Sequence, residues 1–189
     1  MTILEQATRD AVATLQSLST FQPELERAAS LVGECLTTGG GKLLVCGNGG
    51  SAGDSADFAT EFACRFMNDR RPYPALNLAA CGSLLTANAN DYGLDEMFAR
   101  SVRAFGKPGD ILVTLTTSGN SPNILTALRA AKDAGLHTIA LLGRDGGKAR
   151  GLAEIEFIIP STITARIQES QRFLLHVLCE MVETGWLQK

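Results

Sequence analysis

Two apolar segments of this chain each run straight into a turn of small and polar residues that opens a helix. Leu43-Leu44-Val45-Cys46 leads into Gly47-Asn48-Gly49-Gly50-Ser51, and Ile111-Leu112-Val113-Thr114-Leu115 leads into Thr116-Thr117-Ser118-Gly119-Asn120-Ser121. A short, nearly continuous apolar run suits a strand buried on both faces, and such strands belong to parallel sheets covered by helices. Glycines let the backbone approach a ligand closely, and the open N–H groups at a helix start attract anions. Serine and threonine hydroxyls add short, orientable donors. Two such turns on one sheet point to a pocket for a phosphorylated small molecule.

The rest of the chain fits this pattern. Leu4, Ala7, Ala11, Leu15 and Leu18, then Leu25, Ala28, Leu31, Val32, Cys35 and Leu36, recur at helical spacing and stop at Gly39-Gly40-Gly41. Strands are expected at 42–46, 74–79, 111–116, 137–142 and 155–159. Helices are expected at 51–67 with Ser51 as cap, 82–90, 94–104, 122–134 behind Ser121 and Pro122, and 163–186. Strands separated by helices predict an α/β fold: a three-layer αβα sandwich on a five-stranded parallel sheet with flavodoxin-like order. Ligands then bind beyond the carboxyl ends of the strands, where both turns lie. Residues 1–189 read as a single domain, and 1–40 as a helical segment whose apolar faces exceed what five strands need as cover. Those faces are expected to meet a partner subunit.

A net charge of −3 with no basic stripe argues against nucleic acid. Neither a membrane span nor a secretory leader is expected, which points to the cytoplasm. Cys35, Cys46, Cys64, Cys81 and Cys179 form no C-x-x-C pair and read as reduced core thiols. Gly47-x-Gly49-x-x-Ala52 matches the dinucleotide fingerprint, but Leu78-Ala79-Ala80-Cys81 brings no carboxylate to grip a ribose. The second turn carries four hydroxyls, on Thr116, Thr117, Ser118 and Ser121, more than a helix cap uses. It lacks the lysine of a Walker loop.

Asp54, Asp57 and Glu61 share one face of the helix after the first turn, with Arg65 one turn beyond. An acidic first turn that complements the helix dipole explains Asp54 but not Glu61. Gln168, Arg172 and His176 share a face of the last helix. His176 has two readings, a satisfied core histidine or a catalytic one, while His137 reads as strand-end filler.

Cys46-Gly47-Asn48-Gly49-Gly50-Ser51, Asn90-Asp91-Tyr92-Gly93, Thr117-Ser118-Gly119-Asn120-Ser121, Asp145-Gly146-Gly147 and Arg166-Ile167-Gln168-Glu169 follow one another in this order. Together they resemble the bacterial phosphoheptose isomerases of the sugar-isomerase (SIS) fold, over nearly the whole chain. The resemblance implies conversion of sedoheptulose 7-phosphate to glycero-manno-heptose 7-phosphate, on the way to the activated heptose of lipopolysaccharide. It implies a homotetramer with sites at subunit interfaces, and a zinc ion. By resemblance, Asn48, Gly49, Gly50, Ser51, Arg65, Asn90, Asp91, Thr116, Thr117, Ser118, Ser121 and Gln168 contact the substrate. Glu61 matches the family's general base and His176 its acid partner.

The family usually places a histidine zinc ligand one turn before the glutamate, where this chain has Asp57; a second histidine often found near the Gln-Glu pair is Gln171 here. A metal set of Asp57, Glu61, Gln168 and His176 is richer in oxygen, which shifts preference toward manganese or magnesium or weakens binding. Alternatives are a non-catalytic SIS adaptor that binds a replication initiator protein, and an isomerase or binder of another sugar phosphate.

Overall fold

The structure is a computed structural model and describes residues 1–187. Its elements run α1 (Ile3–Ser17), α2 (Gln22–Thr37), β1 (Leu43–Gly47), α3 (Gly50–Ala63), β2 (Ala75–Asn77), α4 (Gly82–Tyr92), α5 (Met97–Phe105), β3 (Ile111–Thr116), α6 (Pro122–Asp133), β4 (His137–Gly143), β5 (Ile155–Ile159) and α7 (Thr164–Val182), followed by one π-helical turn, Glu183–Leu187. The five strands pair in parallel in the order β2-β1-β3-β4-β5. This is the flavodoxin-like order expected. The chain leaves β1 toward one edge and returns on its other side as β3. The switch point therefore lies between β1 and β3, where Gly47 sits in register with Leu115. The two turns leave the sheet side by side.

Strand residues alternate between two cores. Leu43, Val45, Val113, Leu115, Ile139, Leu141 and Phe157 face the layer of α2, α3 and α7. Leu44, Cys46, Leu112, Ala140 and Leu142 face α5 and α6. The α2 helix buries Leu25, Ala28, Ala29, Val32, Cys35 and Leu36. It is thus part of the fold's own cover, contrary to the expectation for both N-terminal helices. The α1 helix is covered less: a capping box between Thr2 and Glu5 starts it, Leu15 packs on the core and Arg166 of α7 donates to the Ala7 carbonyl at 3.1 Å, but Thr14 is its one buried residue and Ile3 and Leu4 are 90% and 76% exposed.

Both expected ends of α3 move. Ser51 is not the cap of α3 but a buried residue of its first turn; the cap position belongs to Gly49, whose φ of 55° and ψ of −121° favour glycine. The helix ends at Ala63 rather than at residue 67, because Arg70 folds back and donates to the Phe62 carbonyl at 3.1 Å and to the Glu61 carbonyl. Arg70 is held in turn by buried Glu183, which also accepts from the Met67 and Asn68 backbone N–H groups at 3.0 Å. Burial pushes the Glu183 carboxyl up, but these hydrogen bonds from Asn68, Met67 and Arg70 outweigh it and leave it below the ordinary range. All five cysteines are free, yet Cys64 and Cys81 are exposed, so only Cys35, Cys46 and Cys179 fit the core-thiol expectation. Burial raises the Cys35 thiol to about 11.

Candidate active site

The two turns are built differently. A Cβ on Gly47 would come within 2.8 Å of the Ser51 backbone, so the first turn closes only around glycine. Asn48, Gly49 and Gly50 are exposed, and the Ser51 and Ala52 N–H groups turn back to Asn48 and Gly49 carbonyls at 3.0 and 3.1 Å. The Asn48 amide reaches across to Asn123 in the first turn of α6. Each side chain donates to the other at 2.9 Å. Asn123 escaped the sequence reading. Its one signal is a polar residue among the apolar positions of α6.

In the second turn the Thr116 and Ser121 hydroxyls lie 3.3 Å apart. Ser121 takes the cap position of α6, but its hydroxyl makes no cap bond and remains directed toward Thr116. Thr117 and Ser118 are half-buried, and Ser118 Oγ accepts from the Asn120 N–H at 3.1 Å. The loop is clamped onto residues 145–149: Ala149 N–H donates to the Gly119 carbonyl at 2.9 Å, and Lys148 N–H to Asn120 Oδ1 at 3.1 Å. A Cβ on Gly119, at φ 64°, would collide with the Gly146 carbonyl, so the position has no room for a side chain. The Asp145-Gly146-Gly147 motif thus serves as a brace for the hydroxyl turn.

Helices α3 and α7 lie side by side and run the same way, and three pairs along them are each 118 residues apart. A Cβ on Gly50 would collide with the Gln168 amide; Asp54 bonds Arg172; the Glu61 carboxylate acts on the thiol of Cys179. Gln168 therefore meets the first turn. Glu61 and His176, both half-buried, line the far part of the same seam, where His176 packs its ring on Phe66 with centroids 5.8 Å apart. Burial and then Glu61 push the Cys179 thiol well above its ordinary value.

Between these ends sits Arg172. Its Nε and Nη2 donate to Asp54 Oδ1 at 2.8 and 2.6 Å, and Nη2 lies 2.8 Å from Asp57 Oδ2. Asp57 is therefore engaged by a guanidinium. Among the described residues no three His, Cys, Asp or Glu side chains come together as a metal site. The set Asp57, Glu61, Gln168 and His176 does not fit a metal ion as it stands, because an ion there would have to take the Asp57 carboxylate from the Arg172 guanidinium.

Other expected residues lie elsewhere. Arg65 falls beyond the end of α3, exposed, and among the described residues it bonds only the Phe66 carbonyl, at 3.4 Å. Asn90 and Asp91 are exposed in the last turn of α4 and bond each other at 2.8 Å, not another candidate. Gln171 is fully buried and donates to the Leu141 carbonyl of β4 at 2.8 Å, so it ties α7 to the sheet rather than facing the seam. His137 pairs with Glu154 at the surface at 2.7 Å.

Residues 8–143 match the model of the SIS domain family. The chain is 44% identical to the phosphoheptose isomerase of Helicobacter pylori (strain P12) over 177 residues, covering 94% of this chain and 92% of that protein. It is 48% identical to the phosphoheptose isomerase of Citrifermentans bemidjiense over 163 residues, covering 86% and 84%. Its fold superposes on the phosphoheptose isomerase structure from Neisseria gonorrhoeae with a TM-score of 0.88 at 37% identity, over 97% of this chain and 100% of the other.

Proposed function

This chain belongs to the phosphoheptose isomerase family of SIS-domain proteins, and from that premise we propose that it interconverts sedoheptulose 7-phosphate and D-glycero-D-manno-heptose 7-phosphate. The observation that carries the reading is the α3–α7 seam: α3 opens at the glycine turn and bears the carboxylate of Glu61, and α7 packs beside it and bears the imidazole of His176. Ketose-to-aldose conversion removes a proton from C1 and returns one to C2 through an enediolate, while a proton moves between the two oxygens. Glu61 carries the carbon-bound proton and His176 serves the oxygens. The hydroxyls of Thr116, Thr117, Ser118 and Ser121 hold the distant phosphate, and that binding orients the reacting carbons. Asn48, Gly49, Gly50, Ser51 and Gln168 line the sugar.

The enzyme is further proposed to act in the cytoplasm as a homotetramer, supplying an aldose phosphate for activated heptose. The unpaired apolar residues Ile3, Leu4 and Val12 on α1 support self-association. No helix among the described residues is long and apolar enough to cross a membrane. The test is incubation with sedoheptulose 7-phosphate in deuterated water, followed by NMR. Aldose product with deuterium at C2 is expected, and a substrate left unchanged overturns the proposal.

A further inference from the structure

We propose that the guanidinium of Arg172, locked between Asp54 and Asp57, is the catalytic cation of this chain and does the work a bound metal ion would do. The inference rests on the isomerase reading above. Asp54 is nearly buried, with 8% of its side chain exposed, while Arg172 and Asp57 are 48% and 52% exposed. The inner carboxylate thus anchors the fork and the outer one steadies it. Only Nε and Nη2 are engaged by these carboxylates, so the two Nη1 N–H donors remain for a ligand in the seam. Arg172 stands one turn after Gln168 and one turn before His176 on the same face of α7, between the sugar-lining end and the proton-transfer end.

The reaction needs positive charge at that place. When Glu61 takes the proton from C1, the C–H pair becomes the C1–C2 double bond and the carbonyl π pair moves onto O2. His176 then moves the O1 proton to O2, an O1 electron pair forms the C1 carbonyl, and the C1–C2 π pair takes the proton back at C2, which leaves an aldehyde at C1 and a hydroxyl on C2. The overall change is a proton shift that needs no co-reactant. The charge on O2 exists only between the two steps, so donors fixed in advance toward it lower the barrier without tightening ground-state binding. A guanidinium keeps its charge across the working pH range, and the two hydrogen bonds it donates to Asp54 hold it in place. The same arrangement opposes a metal. A divalent ion shared by Asp57 and Glu61 would have to displace the Arg172 contact at Asp57 and lie beside its positive charge.

The test combines metal analysis, zinc titration and kinetics on the purified full chain. After exhaustive treatment with a chelator, wild-type kcat on sedoheptulose 7-phosphate is expected to stay within about twofold of its starting value, whether or not zinc, manganese or magnesium is returned. Calorimetric titration with zinc alone is expected to show no site in wild type and about one per chain in the double variant Asp57→His, Arg172→Met. Arg172→Met is expected to lower kcat about 100- to 1000-fold with KM little changed, and Arg172→Lys to recover at least about tenfold of that loss. Loss of wild-type activity on chelation with recovery on zinc overturns the inference. So does an Arg172→Met variant with a lowered melting temperature and an unchanged kcat, the signature of a merely structural ion pair. If Arg172→Met does not fold, the chelation and zinc results on wild type and the Lys variant decide the matter. Failure of wild type to form product under every metal condition overturns the isomerase reading, and this inference with it.

Discussion

Asn48 and Asn123, 75 residues apart in sequence, exchange two side-chain hydrogen bonds of 2.9 Å and so join the turn after β1 to the helix after the hydroxyl turn of β3. The pair spans the switch point of the sheet. It fixes the distance between the part of the pocket that would hold the sugar and the part that would hold the phosphate.

Replacing Asn123 with leucine removes both bonds and leaves the exposed Asn48 amide to water. The stability cost is expected to be about 1 kcal/mol, since Asn48 remains solvated. The larger effect is expected in substrate binding, with KM raised about tenfold by the loss of about 1.4 kcal/mol of orientation. Steady-state kinetics beside a thermal melt separates the two.

Glu61→Gln preserves shape and removes the proton acceptor. Activity is expected to fall by at least about 1000-fold, within the range general-base catalysis supplies. Melting temperature and affinity for the sugar phosphate are expected to hold, as read by calorimetry. His176→Asn is expected to lower kcat as well; a drop in melting temperature alone would mark it as a core histidine.

Gly50→Ala sets two effects against each other. Alanine is the better helix former by up to about 1 kcal/mol. Its Cβ, however, meets the Gln168 amide, which must then move. The melting temperature is expected to hold or rise slightly while kcat/KM falls, and loss of both together would show that Gln168 cannot relax.

Glu183 predicts an acid sensitivity far from the seam. Its carboxyl titrates below the ordinary 4.5 in the folded protein, because the hydrogen bonds it accepts outweigh its burial. Its stabilisation is complete above the unfolded value and fades as the pH falls through the lower folded value. Glu183→Gln leaves Arg70, only 6% exposed, without its partner and is expected to cost about 3–5 kcal/mol at pH 7. The gap in melting temperature between wild type and variant is expected to narrow below about pH 4.5.

The strand order and the place of the two turns were legible because a buried parallel strand must be apolar throughout, and a glycine or hydroxyl run ends it visibly. The faces of α3 and α7 were legible from helical spacing. The end of α3 was not, because nothing local stops it: Arg70 arrives from beyond the helix to take the Glu61 and Phe62 carbonyls. Gly49 displaced Ser51 as cap because its positive φ lets the chain turn sharply, a backbone property that a list of favoured caps does not contain. Arg172 was named in its row, but its partners Asp54 and Asp57 lie on another helix, and only the register between the two helices reveals the trio. Gln171 stands where the family often has a histidine, yet it faces the sheet. Its difference from the pattern therefore says little about catalysis.

The constant spacing of 118 residues between facing positions on α3 and α7 makes those helices behave like two ruled scales laid edge to edge. Changing a side chain alters one graduation. Inserting or deleting a single residue in either helix rotates everything past it by about 100°, and so separates Gln168 from Gly50, Arg172 from Asp54 or Cys179 from Glu61. Variation in this seam is thus confined to exchanging residue types at fixed positions, and a pairing such as Asp57 with Arg172 is the kind of novelty that such a frame admits.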